Sequence, residues 1–287
     1  MFEKVLVPTD FSKYSQKVLE CVGGLPGVKE VVLLNVIGPS DPLARVWDPG
    51  ARLEEAKEKL SEQAKMLEAQ GLVVTLRAEA MLEGEIDRKI HTVGDEEGIS
   101  LIVMGAKGKS LVEGIFLGNV AKKSLRYGDK HLLLMRYKIL EGGEEMEEYC
   151  SRIFAKALCP VDFSEPSNEA INFIKTIDGI DEIVLLYVVS RGESKEEIDT
   201  QTHNATEKLN TMKEDIEKAG IKASVQVKVG SPAEVISDVA DDEDVSVVVM
   251  SSHGRGWIKQ LIVGSVTYEV AKNGNRPVLV VRAGKVS

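Results

Sequence analysis

The chain repeats its own sequence almost from end to end. Residues 5–15 read Val-Leu-Val-Pro-Thr-Asp-Phe-Ser-Lys-Tyr-Ser, and residues 157–167 read Ala-Leu-Cys-Pro-Val-Asp-Phe-Ser-Glu-Pro-Ser, an offset of 152. Further along, residues 100–104 match residues 246–250 at an offset of 146, so the second copy is six residues shorter over this span. A repeat of this extent predicts two copies of one domain in the 287 residues, rather than a single large domain.

Within each copy, short β-branched runs alternate with longer helical patterns, which is typical of a parallel sheet with crossover helices. Several runs are apolar at consecutive positions, as strands buried on both faces require. Helical patterns over residues 51–70 and about 194–219 end at Gly71 and Gly220, which are good C-terminal stops. The sequence therefore predicts an α/β fold with two tandem five-stranded parallel sheets. The predicted strands are residues 3–7, 31–36, 73–79, 101–105, 131–136, 154–159, 183–188, 223–228, 245–250 and 277–282.

An acidic stretch with paired glycines separates the two copies. Residues 141–148 read Glu-Gly-Gly-Glu-Glu-Met-Glu-Glu, a composition that favours a connection over a helix or strand. We therefore predict a first domain over residues 1–137, a linker over 138–152 and a second domain over 153–287.

The overall charge and the N-terminus argue against two classes of partner. The formal net charge of -10 is unfavourable for nucleic acid binding, because counterion release requires a basic surface. The apolar run at the N-terminus is too short for a signal-peptide core or a membrane span. We therefore expect no nucleic acid, no membrane and a cytoplasmic location.

The three cysteines are consistent with a reducing compartment. Cys21, Cys150 and Cys159 form no C-x-x-C pair and leave an odd thiol. Cys159 ends an apolar run, and we interpret it as a small core residue.

A glycine-containing loop follows the fourth predicted strand of each copy. Nine residues separate Gly108 from Gly118 in copy one and Gly254 from Gly264 in copy two. Glycines after a buried strand let backbone N–H groups approach a ligand, and the first N–H groups of the following helix favour an anion. Such a loop lies at the carboxyl ends of parallel strands, where ligands of open α/β folds bind. The pattern predicts a phosphate site in each copy; the alternative is a tight turn and a helix cap alone.

Two familiar nucleotide motifs are excluded. Residues 108–110 read Gly-Lys-Ser, like the end of a P-loop, but Val103 stands where a Walker A motif requires glycine. The first strand of each copy runs into Pro-Thr-Asp or Pro-Val-Asp without glycine, so it does not form a G-x-G-x-x-G dinucleotide turn.

Taken together, these motifs resemble the universal stress protein family. The matching parts are Pro-x-Asp-Phe-Ser after the first strand, Leu-Leu-x-Val in the second strand and the Gly-x2-Gly-x9-Gly-Ser/Thr loop. The resemblance implies a five-stranded, Rossmann-like parallel sheet of the adenine nucleotide alpha hydrolase type, with helices on both faces. It also implies ATP or AMP bound along the strand ends, with Mg²⁺ accompanying ATP.

The resemblance assigns roles to individual residues. Asp10 and Asp162 would bond the ribose hydroxyls, and the backbone of Val36 and Val188 would meet the adenine. An alternative for the aspartates is that an acid ahead of a first helical turn is favoured by the helix dipole alone. The implied nucleotide-binding set is Pro8, Thr9, Asp10, Val36, Gly105, Lys107, Gly108, Gly118, Asn119 and Val120 in copy one, and Pro160, Val161, Asp162, Val188, Ser251, His253, Gly254, Gly264, Ser265 and Val266 in copy two.

Each copy departs once from the family pattern. Ser251 replaces the first loop glycine of copy two, and if that position needs a positive φ the cost is roughly 1–2 kcal/mol. Asn119 stands where the family has Ser or Thr, but Asn is a good helix N-cap and its amide can donate to a phosphate. We therefore expect copy one to tolerate the phosphates at least as well as copy two.

The sequence is compatible with three functions. The first is a nucleotide-binding regulatory protein with a stress-response role; the others are a slow ATP hydrolase and an interaction scaffold without nucleotide. The sequence has no G-x-S-x-G elbow and no evident carboxylate–histidine constellation for acid–base catalysis. We therefore assign no catalytic or metal-binding residues and expect at most weak ATP hydrolysis.

The last strand of each copy suggests an assembly. Both strands are apolar, and the resemblance implies that this strand lies at the sheet edge and pairs with its mate in a dimer. Because an exposed apolar edge promotes aggregation, we expect the two copies to cover each other's edge as an intramolecular pseudo-dimer, with any homodimer using another surface. The alternative is two independent domains on an acidic linker.

Overall fold

The computed structural model describes residues 2–38, 48–81, 86–106, 117–136, 150, 152–190, 194–254 and 263–282. The chain divides into two compact units, Met1–Ser151 and Arg152–Ser287. The predicted linker over 138–152 lies outside the described residues except for Cys150 and Arg152.

The first unit is a parallel sheet with four described helices. Its strands pair in the order β3-β2-β1-β4-β5, and every described pairing is parallel. Helix α1 packs against α2, and α3 packs against α4. The elements are β1 (Lys4–Pro8), α1 (Lys13–Val22), β2 (Glu30–Ile37), α2 (Gly50–Ala69), β3 (Val73–Ala80), α3 (Ile86–Glu96), β4 (Leu101–Gly105), α4 (Asn119–Tyr127) and β5 (His131–Met135).

The second unit repeats this arrangement. Its strands pair in the order β8-β7-β6-β9-β10, again parallel throughout. Helix α6 packs on β7 and β8, and α7 packs against α8. The elements are β6 (Lys156–Pro160), α5 (Glu165–Ile174), β7 (Glu182–Val189), α6 (Lys195–Lys218), β8 (Lys222–Val229), α7 (Pro232–Asp242), β9 (Val247–Ser251), α8 (Ser265–Asn273) and β10 (Val278–Val281).

The predicted fold class is confirmed. Each predicted strand is present, with ends within about two residues of those expected from the hydrophobic runs. The consecutive apolar residues of 31–34 and 183–186 are completely buried, as strands covered on both faces must be.

The strand order determines where a ligand can bind. In the first unit the chain builds outward from β1 to β3 and then returns to the other side of β1 to add β4 and β5. The second unit does the same around β6 and β9. At such a switch point the loops after the two neighbouring strands separate and leave a crevice at the carboxyl edge of the sheet.

Local signals account for several helix boundaries. Ser12 and Ser164 are the N-caps of α1 and α5, and their side chains accept hydrogen bonds from the backbone N–H of Ser15 and Ser167. Beyond α2 and α6, Gly71 and Gly220 have φ of +83° and +85°, which favours glycine and ends both helices as predicted.

The prediction that the cysteines are those of a reducing compartment does not agree with the structure, because two of them form a disulfide. A disulfide joins Cys21 of α1 to Cys150, with Cα atoms 4.6 Å apart. The odd thiol is Cys159, which is buried in β6 as predicted, and burial raises its pKa far above the ordinary range. Among the described residues, no helix is long and apolar enough to cross a membrane.

Candidate functional site

A cavity of about 420 Å³ opens at the carboxyl ends of β6, β7 and β9 in the second unit. This volume is within the usual range for small-molecule sites. All residues that the sequence predicts for the nucleotide site of copy two line it, namely Pro160, Val161, Asp162, Val188, Ser251, His253, Gly254, Gly264, Ser265 and Val266.

The remaining lining residues were not predicted from the sequence. Among them, Tyr187 precedes Val188 in β7, Ser190 follows the end of β7, and Pro232 and Ile236 come from the first turns of α7. Tyr187 could have been included because it is next to a predicted contact. No local signal marks Pro232 or Ile236, since they reach the cavity only through the packing of α7 on β7.

Asp162 is held in place by its own turn and by the glycine loop. The backbone N–H of Ser164 donates to its Oδ1 at 3.0 Å, and the Ser164 hydroxyl donates to the same oxygen at 2.5 Å. A methyl group added at Gly254 would lie 2.3 Å from Oδ2, so the carboxylate can adopt this position only beside a glycine. The first-strand motif and the loop motif, far apart in sequence, therefore meet at one carboxylate.

The start of α8 presents backbone donors to the cavity. The N–H of Gly264 donates to the carbonyl of Ser252 at 2.7 Å and draws the ends of the loop together. Gly264 is the N-cap, and within the described part of the chain no side chain caps this helix, whereas Ser164 caps α5. Since the first N–H groups of a helix have no intrahelical acceptor, those at Ser265 and Val266 suit an anion.

The expected penalty at Ser251 does not arise. Among the described non-glycine residues, only Phe11, Phe163 and Asp244 have a positive φ, and Gly105, the counterpart of Ser251, is not among the positive-φ glycines either. Ser251 is the last residue of β9, and its carbonyl accepts a hydrogen bond from the Thr267 hydroxyl at 2.9 Å. The exchange of glycine for serine therefore causes no backbone strain here.

His253 lies two residues beyond the end of β9 and lines the cavity. Its Nδ1 lies 2.8 Å from the Ser252 hydroxyl oxygen, and the carbonyl of His253 accepts a hydrogen bond from the Ser251 hydroxyl. These contacts hold the backbone that leads into Gly254.

The first unit builds matching features from its own copy of the motifs. Ser12 N–H donates to Oδ1 of Asp10 at 3.0 Å, as Ser164 N–H does to Asp162. Gly118 N–H donates to the carbonyl of Ala106 at 2.8 Å, and α4 then begins at Asn119, which is the first helical residue and not the cap.

The other predicted residues of copy one occupy equivalent places. Pro8 ends β1 and leads into Thr9, Val36 lies in β2, Gly105 ends β4 and Val120 is in the first turn of α4. Lys107 and Gly108 lie outside the described residues.

The two units differ beside the aspartate. In the first unit Nδ2 of Asn35 donates to the carbonyl of Thr9 at 2.7 Å, and both residues are buried. Tyr187 and Val161 occupy these positions in the second unit. Among the described residues, no group of three or more His, Cys, Asp or Glu side chains is placed to bind a metal ion.

Fold and cleft together define a duplicated, Rossmann-like α/β protein whose second unit has a cavity at the carboxyl edge of its parallel sheet. The model of the Universal stress protein family matches residues 1–136 and again 154–282. The chain therefore belongs to the universal stress protein family, as a member with two tandem domains.

Individual relatives agree with this assignment. A universal stress protein of Methanocaldococcus jannaschii is 32% identical over 157 residues, which is 46% of this chain and 97% of the relative. A universal stress protein of Mycolicibacterium smegmatis is 23% identical over 270 residues, covering 88% of this chain and 87% of the relative. The crystal structure of a universal stress protein from Archaeoglobus fulgidus covers 98% of this chain and 97% of its own, with a TM-score of 0.74 and 26% identity.

Proposed function

We propose that this universal stress protein binds an adenine nucleotide, ATP or AMP, in the cavity of its second unit and at the matching place in its first unit. The observation that carries the proposal is that Asp162, Gly254 and the start of α8 converge on one cavity of about 420 Å³. A fixed carboxylate suits the hydroxyls of a ribose, and a glycine backbone together with a helix N-terminus suits the phosphates attached to it.

In this proposal each part of the nucleotide has its own partners. The Asp162 carboxylate accepts hydrogen bonds from the ribose hydroxyls, and the backbone of Val188 meets the adenine. The N–H groups of the first turn of α8 and the backbone of Gly254 and Gly264 bind the phosphates, with Mg²⁺ as counter-ion when ATP is bound. Asp10, Val36, Gly118 and Asn119 take the corresponding roles in the first unit.

The role that fits this site is regulatory, in a stress response, and a cytoplasmic location stays a prediction from the sequence. Asp162 accepts two hydrogen bonds from Ser164 and packs against Gly254, which suits a carboxylate that holds a ligand more than one that must take a proton from water. Slow ATP hydrolysis stays the second candidate, because His253 lies beside the proposed phosphates. The intramolecular pseudo-dimer and any homodimer stay predictions from the sequence.

The test is calorimetric titration of the full-length chain with ATP, ADP and AMP, with and without Mg²⁺. We expect micromolar or weaker affinity and up to two nucleotides per chain. An Asp162→Asn variant keeps an acceptor for Ser164 but loses the charge, and it should bind fewer nucleotides. Asp178→Asn, an exposed aspartate outside the cavity, is the control. Absence of both heat and thermal shift with all three nucleotides would refute the proposal, and phosphate release in the same samples measures any turnover.

A further inference from the structure

Two phenylalanines adopt a backbone conformation that side chains of their kind rarely take. Phe11 has φ of 59° and Phe163 has φ of 61°, in the left-handed region. A residue with a Cβ is disfavoured there, and large side chains are seldom found in it. Each phenylalanine directly follows the aspartate of its copy, so the same unfavourable geometry occurs twice at the same place. Backbone outliers of this kind are concentrated at functional sites.

The ring of Phe163 contacts residues of β7 and α6 in the second unit. It stacks on Tyr187 of β7, with ring centroids 5.0 Å apart and planes inclined by 24°. The Lys208 ammonium of α6 lies over the Phe163 ring, 5.2 Å from its centroid. Stacked aromatic pairs and cations over a ring face are both attractive, so these contacts favour the positive φ that the backbone alone disfavours.

This conformation determines where the carboxylate of Asp162 points. The left-handed residue turns the chain back immediately after Asp162, which brings the N–H and hydroxyl of Ser164 onto Oδ1. The other oxygen, Oδ2, is thereby placed against Gly254 at the edge of the cavity. If φ of Phe163 became negative, the peptide that carries the Ser164 N–H would rotate away and this anchoring would be lost.

We propose that Phe163 is a positioning residue, whose stacked ring keeps the backbone left-handed and so aims the Asp162 carboxylate at the ribose hydroxyls of a bound nucleotide. The inference rests on the proposed function. Phe11 does the same for Asp10, with a lysine over its ring as in the second unit but with a hydrogen bond in place of the aromatic stack. Its N–H donates to the Thr9 hydroxyl at 3.1 Å, and the Lys59 ammonium lies 5.7 Å from its ring centroid.

The test compares ATP with 2′,3′-dideoxy-ATP, which lacks the ribose hydroxyls, in the full-length chain. All variants carry Asp10→Ala, so that the ribose contact of the first unit is absent. We expect Phe163→Ala to lower the affinity for ATP about tenfold, since hydrogen bonds to a charged group are lost or misaligned. The affinity for the dideoxy analogue should change less than about twofold. Phe163 is only half-buried, and melting temperatures verify that the variants are folded.

Two further variants separate positioning from a general structural role. Phe163→Tyr keeps the ring and should keep the preference of the Asp10→Ala parent for ATP. Phe163→Asn removes the ring, but Asn adopts positive φ more readily than Ala, so it should recover part of the preference. Should Phe163→Ala fail to fold, Phe163→Leu keeps apolar bulk without an aromatic face and replaces it in the comparison.

The outcomes are distinct. If Phe163→Ala leaves the ratio of the two affinities unchanged, whether neither affinity falls or both fall equally, the inference is overturned. The proposed nucleotide binding is not affected by that result. The inference is also overturned if Phe163→Asn prefers ATP over the dideoxy analogue no more than Phe163→Ala does. It is overturned as well if the Asp10→Ala parent binds the two nucleotides equally. A wild-type chain that binds neither nucleotide refutes the proposed function, and the inference with it.

Discussion

The two units support the same turn by different chemistry. In the first unit the surroundings of the turn are polar and buried, with Asn35 hydrogen-bonded to the Thr9 carbonyl and the Thr9 hydroxyl accepting from Phe11 N–H. In the second unit the support is aromatic, because Tyr187 stacks on Phe163. The aspartate and the left-handed phenylalanine that follows it are nonetheless the same in both. The constraint on this region is therefore the geometry of the turn and not the residue types beneath it.

The largest losses of unfolding free energy are expected for substitutions in the buried core, where the two units are alike. Leu33 of β2 and Leu185 of β7 are matched positions, and neither is exposed to solvent. Replacing either by Ala leaves a cavity between sheet and helices and should lower the free energy of unfolding by about 2–5 kcal/mol. Urea denaturation of the two variants measures this, and a difference of several kcal/mol between them would show that the cores are not equivalent.

The turn is supported by a polar residue in the first unit and an aromatic residue in the second, so replacing Asn35 and its counterpart Tyr187 should lower the free energy of unfolding by different amounts. Asn35→Leu removes the donor to the buried Thr9 carbonyl and should cost about 1–3 kcal/mol of unfolding free energy. Tyr187→Leu keeps apolar bulk and loses the stacking contribution, about 0.5–1.5 kcal/mol. The same denaturation experiment compares them, and a larger loss in Tyr187→Leu would contradict the interpretation of the two supports.

A glycine exchange tests the site of the second unit alone. In Gly254→Ala the new methyl group would lie 2.3 Å from Oδ2 of Asp162 and displace the carboxylate. We expect nucleotide affinity at this unit to fall about tenfold, which is about 1.4 kcal/mol, with the first unit unaffected. Calorimetric stoichiometry should then show one of two sites weakened.

Gly264→Ala changes the same loop without touching the Asp162 carboxylate. Among the described residues, its methyl group would meet only the Ser252 carbonyl oxygen at 3.7 Å and the His253 Cα at 3.8 Å, which are ordinary contacts. Because Ala is a poorer N-cap than Gly, thermal stability should fall slightly, by about 1 kcal/mol or less. Any larger loss of nucleotide affinity would come from the new methyl group meeting the bound phosphates. If Gly254→Ala binds nucleotide as tightly as the wild type does, the Asp162 carboxylate is not part of the nucleotide site.

The smallest effects are expected at the opposite ends of the strands, where the units are again alike. Lys4 is paired with Glu97 at 3.0 Å, and Lys156 with Glu243 at 2.9 Å. Replacing either lysine by Met should cost about 0.2–1 kcal/mol, because the pairs are partly exposed.

The pH dependence of these ion pairs has a definite sign. Hydrogen bonds from Lys4 and Lys156 lower the pKa of Glu97 and Glu243 in the folded chain. Their stabilisation is therefore fully present above about pH 4.3, the ordinary value for Glu, and is lost as the pH falls through the lowered pKa. Melting curves of Lys156→Met and the wild type should converge under acidic conditions, and a constant gap down to low pH would contradict the assignment.

The sequence by itself determined the duplication, the strands, several helix boundaries and the family. These follow from causes that act within a few residues. Consecutive apolar side chains mark a strand buried on both faces, Ser164 bonds an N–H three residues ahead, and Gly220 takes a φ that other residues avoid.

The tertiary structure decided what these elements bring together. The contact of Gly254 with Asp162, the stack of Phe163 on Tyr187 and the approach of α7 to the cavity join residues from separate elements. The disulfide between Cys21 and Cys150 spans 129 residues. Such contacts depend on how strands and helices pack and on which direction the chain takes after each strand, and no local pattern encodes either.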